Sequence, residues 1–133
     1  MVLKYHLVEK VNPLKKEEPK KFYAKATHSR ELTVRELAQN LERTTSLSTA
    51  DMVGVFEGLL SIVPAHLIEG KIIRLGDFGS LSLEVSSQGV EKAEEFTSHQ
   101  IRRVKINFRP GKILKDAIKS LRYEKEAVKT TAK

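Results

Sequence analysis

Two stretches decide the reading of this 133-residue chain: Ile73-Arg-Leu-Gly-Asp-Phe-Gly-Ser-Leu81 and, after 26 intervening residues, Phe108-Arg-Pro-Gly-Lys-Ile-Leu-Lys-Asp-Ala-Ile-Lys119. In the first, Ile73 and Leu75, then Leu81, Leu83 and Val85, alternate with polar residues, so they share one face of a strand. Gly76-Asp-Phe-Gly79 interrupts them, and glycines inside a strand mark a bend, a bulge or a close backbone approach. A bent strand or hairpin is predicted. The alternation fails from Ser86 to Gln100, which reads as a mobile loop or projecting arm. It resumes with Val104, Ile106 and Phe108, which leave Arg103, Lys105 and Asn107 on the opposite face. Pro110 and Gly111 then open a helix with Leu114, Ala117, Ile118 and Leu121 at helical spacing.

Upstream, the pattern is helical. Thr33-Val-Arg-Glu36 has the form of a capping box, followed by Val34, Leu37, Ala38 and Leu41 on one helix face. Ser48-Thr-Ala-Asp51 repeats the signal, with Leu47 and Met52 at the spacing of a hydrophobic staple. The helix that starts near Thr49 carries Met52, Val55, Phe56, Leu59, Leu60, Val63 and Leu67. That stripe is wider than a short helix on a small monomer needs, and it reads as a subunit interface. Pro64 should bend the last turn, and Gly70 is placed to end it. Helices followed by strands and a last helix give an α+β fold.

Residues 1–31 stand apart. Tyr5-His-Leu-Val-Glu-Lys-Val11 and Lys21-Phe-Tyr-Ala-Lys-Ala-Thr27 each read as a short strand, and the lysine-rich connection between them reads as solvated. An unstructured basic arm is the competing reading. Residues 122–133 read as a frayed, basic, flexible tail. The main domain then covers residues 32–121.

The chain has 24 Lys and Arg against 17 Asp and Glu, a net charge of +7 that is unevenly spread. Residues 1–31 carry +4, residues 32–86 carry −3 and residues 87–133 carry +6. A near-neutral middle between cationic ends suits a phosphate backbone as partner, although a merely solvated surface has the same signature. With no cysteine, disulfides, thiolate zinc sites and cysteine nucleophiles are excluded. The N-terminus lacks the apolar core of a signal peptide. No stretch is expected to approach a membrane span of about 18 apolar residues, so a cytoplasmic protein without a membrane partner is expected.

The order of elements, with LGDFGSL in the first block and the Phe108–Lys119 run in the second, resembles the bacterial histone-like HU and integration host factor family. The resemblance covers roughly residues 32–121, and residues 1–31 resemble the extension of longer HU-like variants. It implies an intertwined homodimer in which two helical pairs lie beneath a sheet and each subunit sends a β-arm around DNA. It also implies that Phe56, Leu59, Val63, Phe78, Leu81 and Phe108 belong to the dimer core. The family kinks DNA with an apolar wedge in the minor groove. Here no proline lies between Pro64 and Pro110, and Glu84, Glu91, Glu94 and Glu95 occupy a stretch that is cationic in the family. Val90 or Phe96 could stand in for the wedge, but packing at the arm base or against another subunit is the simpler role for both.

The candidate DNA-binding residues are Lys92, Arg102, Arg103 and Lys105 on the arm and returning strand, with Arg109, Lys112 and Lys115 at its base and on the last helix. Lys112 and Lys115 match basic positions of the family. Strand periodicity places Arg103 and Lys105 together and points Arg102 the other way unless the strand is irregular. His6, His28, His66 and His99 have no metal-ligand spacing, and no catalytic motif occurs; the Asp77-Phe-Gly79 triplet lacks every companion motif of a kinase. No enzyme activity, metal or cofactor is expected. The function read here is sequence-tolerant binding of double-stranded DNA by a dimeric nucleoid protein. The alternative is an HU-like assembly module that captures a protein through its N-terminal strands, and structured RNA shares the electrostatics of DNA.

Overall fold

The structure is a computed structural model and describes residues 1–126. The chain divides into two compact units, Leu32–Asp116 and a second made of Met1–Glu31 with the segment from Ala117 onward.

In the first unit, α1 (Val34–Glu42) and α2 (Thr49–Ile68) both start on complete capping boxes. The Glu36 amide donates to Thr33 Oγ1 at 3.2 Å while the Thr33 amide donates to the Glu36 carboxylate at 2.9 Å. Ser48 and Asp51 repeat the exchange at 3.1 and 3.3 Å. Each cap satisfies amides that have no partner inside the helix, a contribution of about 1 kcal/mol. Pro64 lies within α2, which continues to Ile68. Gly70, at φ 83°, then turns the chain out of the helix, with its amide donating to the Leu67 carbonyl. Beside it the Glu69 carboxyl is held below its ordinary value, first by the Lys71 ammonium at 2.6 Å and then by His66.

Strands β3 (Ile73–Arg74), β4 (Gly79–Ser87) and β5 (Ile101–Pro110) form an antiparallel sheet in that order. The expected bend at Gly76–Phe78 is a single 3-10 turn. Two glycines make it possible. At Gly79, with φ 152°, a Cβ would stand 2.6 Å from the Arg109 carbonyl oxygen and 2.8 Å from the Phe108 ring. At Gly111 a Cβ would land on the Asp77 carbonyl, and the Gly111 amide donates to the Phe78 carbonyl at 2.8 Å. The connection from β4 to β5, expected to be a mobile loop or arm, contains defined local structure. It has 3-10 turns at Ala93–Glu95 and Ser98–Gln100, and the Gln88 amide closes it on the Gln100 carbonyl at 2.8 Å. Helix α3 (Lys112–Lys119) follows β5.

The second unit is a three-stranded sheet. β1 (Val2–Lys10) lies between antiparallel β2 (Lys21–Ala26) and parallel β6 (Arg122–Lys125). The strand β6 corrects the reading of residues 122–133 as a frayed tail, at least for Arg122–Lys125; residues 127–133 lie outside the described residues. Arg-Tyr-Glu-Lys shows no apolar alternation. Its strand form comes from main-chain pairing with β1, in the register Val2 to Arg122 through Tyr5 to Lys125.

Very little of this chain is buried within itself. Among the described residues the buried apolar ones are Ala38 on α1 and Met52 and Leu67 on α2. Of the α2 stripe, Phe56 and Val63 are half-buried, while Val55 is 64% exposed and Leu59 and Leu60 are open. Ile68 is 80% exposed. The expectation that no stretch approaches a membrane span is also corrected. By length and composition α2 does so, with 20 residues and a mean hydropathy of 1.4, because only Asp51 and Glu57 among its residues are acidic and none is Lys or Arg.

We expect Gly79→Ala to cost about 2–3 kcal/mol in urea unfolding, since the new methyl meets backbone at a strained φ. Gly89→Ala, with open space at its Cβ, should stay within about 0.5 kcal/mol.

Candidate nucleic-acid interface

The pairing of β4 with β5 sorts the sheet into two chemically distinct faces. Leu81 faces Phe108, Leu83 faces Ile106 and Val85 faces Val104, so one face is apolar. On the other, Ser80 lies opposite Arg109, Ser82 opposite Asn107, Glu84 opposite Lys105 and Ser86 opposite Arg103. Three of the sequence-predicted cations, Arg103, Lys105 and Arg109, therefore share one face, where small serines leave them uncrowded. Strand geometry spaces Arg103 and Lys105 by about 7 Å and Lys105 and Arg109, with Asn107 between them, by about 13 Å.

Lys105 reaches the Glu84 carboxylate at 3.9 Å, with both side chains well exposed, so the pair is weak and part of the row's charge is cancelled locally. Arg102 takes a separate course. The register shifts between Ser86 and Ser87, which pair with Arg103 and Ile101, and this leaves Arg102 as the extra residue of a bulge. Its guanidinium donates to Gln88 Oε1 at 2.9 Å, so it serves the closure of the arm rather than the row. Lys92 stands just before the Ala93–Glu95 turn, next to three carboxylates in sequence, apart from the β5 row.

At the base of the arm the structure adds a residue that the sequence reading missed. Arg74 pairs with Ser80, which pairs with Arg109, so Arg74 joins the cationic face across three strands. Together with Lys115 these residues line a cleft of about 250 Å³ floored by Gly76 and Gly111. The signal was present as period two running back from Arg109 through the hairpin. Reading it required the register, since Arg74 looks like an isolated charge in an apolar strand. Lys112 opens α3 and is exposed, but it is not among the cleft residues.

The six residues assigned to a dimer core are not buried within one chain. Phe78 and Phe108 stack at 5.9 Å with their rings tilted by 47°, yet they remain 48% and 40% exposed. Leu81, Phe56 and Val63 are half-buried and Leu59 is open.

Helix pair, bent sheet, arm and terminal helix together define an HU-type module. A family model described as HU domain fused to wHTH, Ig, or Glycine-rich motif matches residues 1–125, and the chain belongs to that family. The match takes in β1, β2 and β6 as well as the part that resembled the short HU proteins. The chain is 31% identical over 96 residues to integration host factor subunit alpha of Marinomonas sp. (strain MWYL1), covering 70% of this chain and 97% of that protein. It is also similar to the crystal structure of a protein of Bacteroides vulgatus ATCC 8482 assigned as a bacterial DNA binding protein. That likeness has a TM-score of 0.60 at 18% identity over 93% of this chain, which spans 47% of the other.

The Glu84 and Lys105 pair is exposed, so Glu84→Gln should change the unfolding free energy by less than about 0.5 kcal/mol. A shift above about 1 kcal/mol in urea titration would contradict that geometry.

Proposed function

We propose that this protein is a dimeric, sequence-tolerant binder of double-stranded DNA that organises DNA in the nucleoid of a bacterial cytoplasm, without catalysing a reaction. The observation that carries the reading is the register-made row of Arg103, Lys105 and Arg109, extended by Arg74 and Lys115 at the arm base. Such a row meets phosphates, which repeat along DNA irrespective of sequence, and serines and asparagine between the cations offer hydrogen bonds without base selectivity. Glu84 and the carboxylates near the arm tip weaken the attraction. The arm has no proline wedge, so it follows the duplex and does not force a sharp kink.

The dimer is supported by burial. Apolar side chains of α2 and of the sheet, among them Val55, Leu59, Leu60, Val104 and Ile106, stand open in the single chain. A patch this large on a family known for paired subunits marks a subunit interface. It also accounts for the apolar length of α2 without a bilayer. Phe56, Leu59, Val63, Phe78, Leu81 and Phe108 would then be covered by the second copy.

A second reading is favoured by one observation. In the N-terminal sheet Leu3, Tyr5, Leu7, Phe22 and Tyr123 share a face by register, and Phe22 and Tyr123 are 66% and 71% exposed. This face suits capture of a protein partner.

Titration of linear and nicked duplexes across salt concentration separates the readings. We expect binding that weakens steeply with salt, and Arg103→Glu with Lys105→Glu should lower affinity at least tenfold on unrelated sequences alike. Equal affinity of the double variant would refute the row as the site. Sedimentation equilibrium should give twice the chain mass, and Leu59→Glu should abolish that dimer; a monomeric intact chain would refute the pairing.

A further inference from the structure

The other face of the N-terminal sheet has a character of its own. Register places Lys4, His6, Val8 and Lys10 of β1 beside Lys25, Tyr23 and Lys21 of β2, with Arg122 and Glu124 of β6 alongside. Lys10 pairs with Lys21, two like charges set directly opposite each other, an arrangement that destabilises a sheet unless something anionic covers it. Lys4, Lys10, Lys21, Lys25 and Arg122 are all exposed, and none forms an ion pair among the described residues. The carboxylates of this face are Glu124, opposite Lys4, and Glu126. Glu126 is engaged: the Thr27 hydroxyl donates to it at 2.9 Å, and the same hydroxyl lies 3.0 Å from His6 Nδ1.

The cations run from Lys4 to Lys10, about 20 Å along the strand. Over that length a duplex presents about a dozen phosphate charges. Tyr23, 49% exposed, lies among them with the Lys10 ammonium 6.0 Å from its ring centre. An aromatic set among lysines on a sheet face suits a sugar-phosphate surface better than it suits an acidic peptide, which would look for apolar pockets between its charges.

We propose that this face, centred on Lys10, Lys21 and Lys25, is a second nucleic-acid contact that binds the duplex backbone. The inference rests on the proposed DNA-binding function but assigns a site separate from the β5 row. The full chain carrying Lys10→Gln, Lys21→Gln and Lys25→Gln should bind a linear duplex about tenfold more weakly at low salt. The slope of log affinity against log salt should fall by about 2 to 3, one counterion per lost phosphate contact. The triple Lys→Arg variant should bind as the intact chain does, with far-UV circular dichroism of all three forms superimposable. If the glutamine variant binds as tightly as the intact chain while Arg103→Glu with Lys105→Glu is weakened, the second site is wrong and the β5 row stands. If the arginine variant also loses affinity, the effect is not charge and the proposal falls. Absence of duplex binding by the intact chain overturns both assignments. Loss of poly-glutamate binding with duplex binding kept would make the face a protein-docking surface and overturn the proposal.

Discussion

The structure of the arm depends on one pairing, Leu81 opposite Phe108. Side chains alternate across a strand, so a slip of one residue would carry Arg103, Lys105 and Arg109 to the face where Phe108, Ile106 and Val104 now lie. Two glycines hold the register. Gly79 lets β4 start hard against the Arg109 carbonyl and the Phe108 ring, and Gly111 lets the chain after β5 close on the Asp77 and Phe78 carbonyls. Arg74 inherits its position from the same lock, because β3 pairs with β4 immediately beyond the turn. The cationic face is therefore a product of backbone fit at the base of the arm, about 20 Å from its outermost member, Arg103.

A second constraint is the shortage of core. A single chain buries Ala38, Met52 and Leu67 and leaves most of its large apolar side chains at least partly in water. Hydrophobic burial is the main favourable term in folding, at about 25 cal/mol per Å². A chain that forgoes it internally would recover it in the proposed dimer. The capping boxes and the glycine lock set local shape, and the association proposed here supplies the rest. In the proposed assembly binding surface and stability are linked: the apolar face of the sheet would belong to the subunit contact, and the polar face that the same register creates would be left for phosphate.

Much of this was legible from residue patterns. The capping boxes at Thr33 and Ser48, the bend at Gly76–Gly79 and the face shared by Arg103 and Lys105 are local signals, and each is found where the spacing put it. What escaped is non-local. Arg74 joins the cationic row through a partner strand, Arg102 is the extra residue of a bulge in its own strand, β5, that only the pairing with β4 reveals, and β6 exists because β1 offers it an edge. The apolar stripe of α2 reads as an interface, whereas its length and composition also suit a bilayer, since Asp51 and Glu57 are its only Asp or Glu and it has no Lys or Arg. Charge groups Lys92 with the row and the family resemblance groups Lys112 with it, but Lys92 stands before the Ala93–Glu95 turn and Lys112 opens α3, neither on β5.

The most direct measurement is an NMR titration of the isotopically labelled protein with a linear DNA duplex, following amide and arginine side-chain signals. The largest shifts in unit Leu32–Asp116 are expected at Arg74, Ser80, Arg103, Lys105 and Arg109, with the alternating residues Val104 and Ile106 disturbed far less. Saturating duplex that leaves the Arg103–Arg109 signals unmoved, or that moves the apolar face equally, would contradict it.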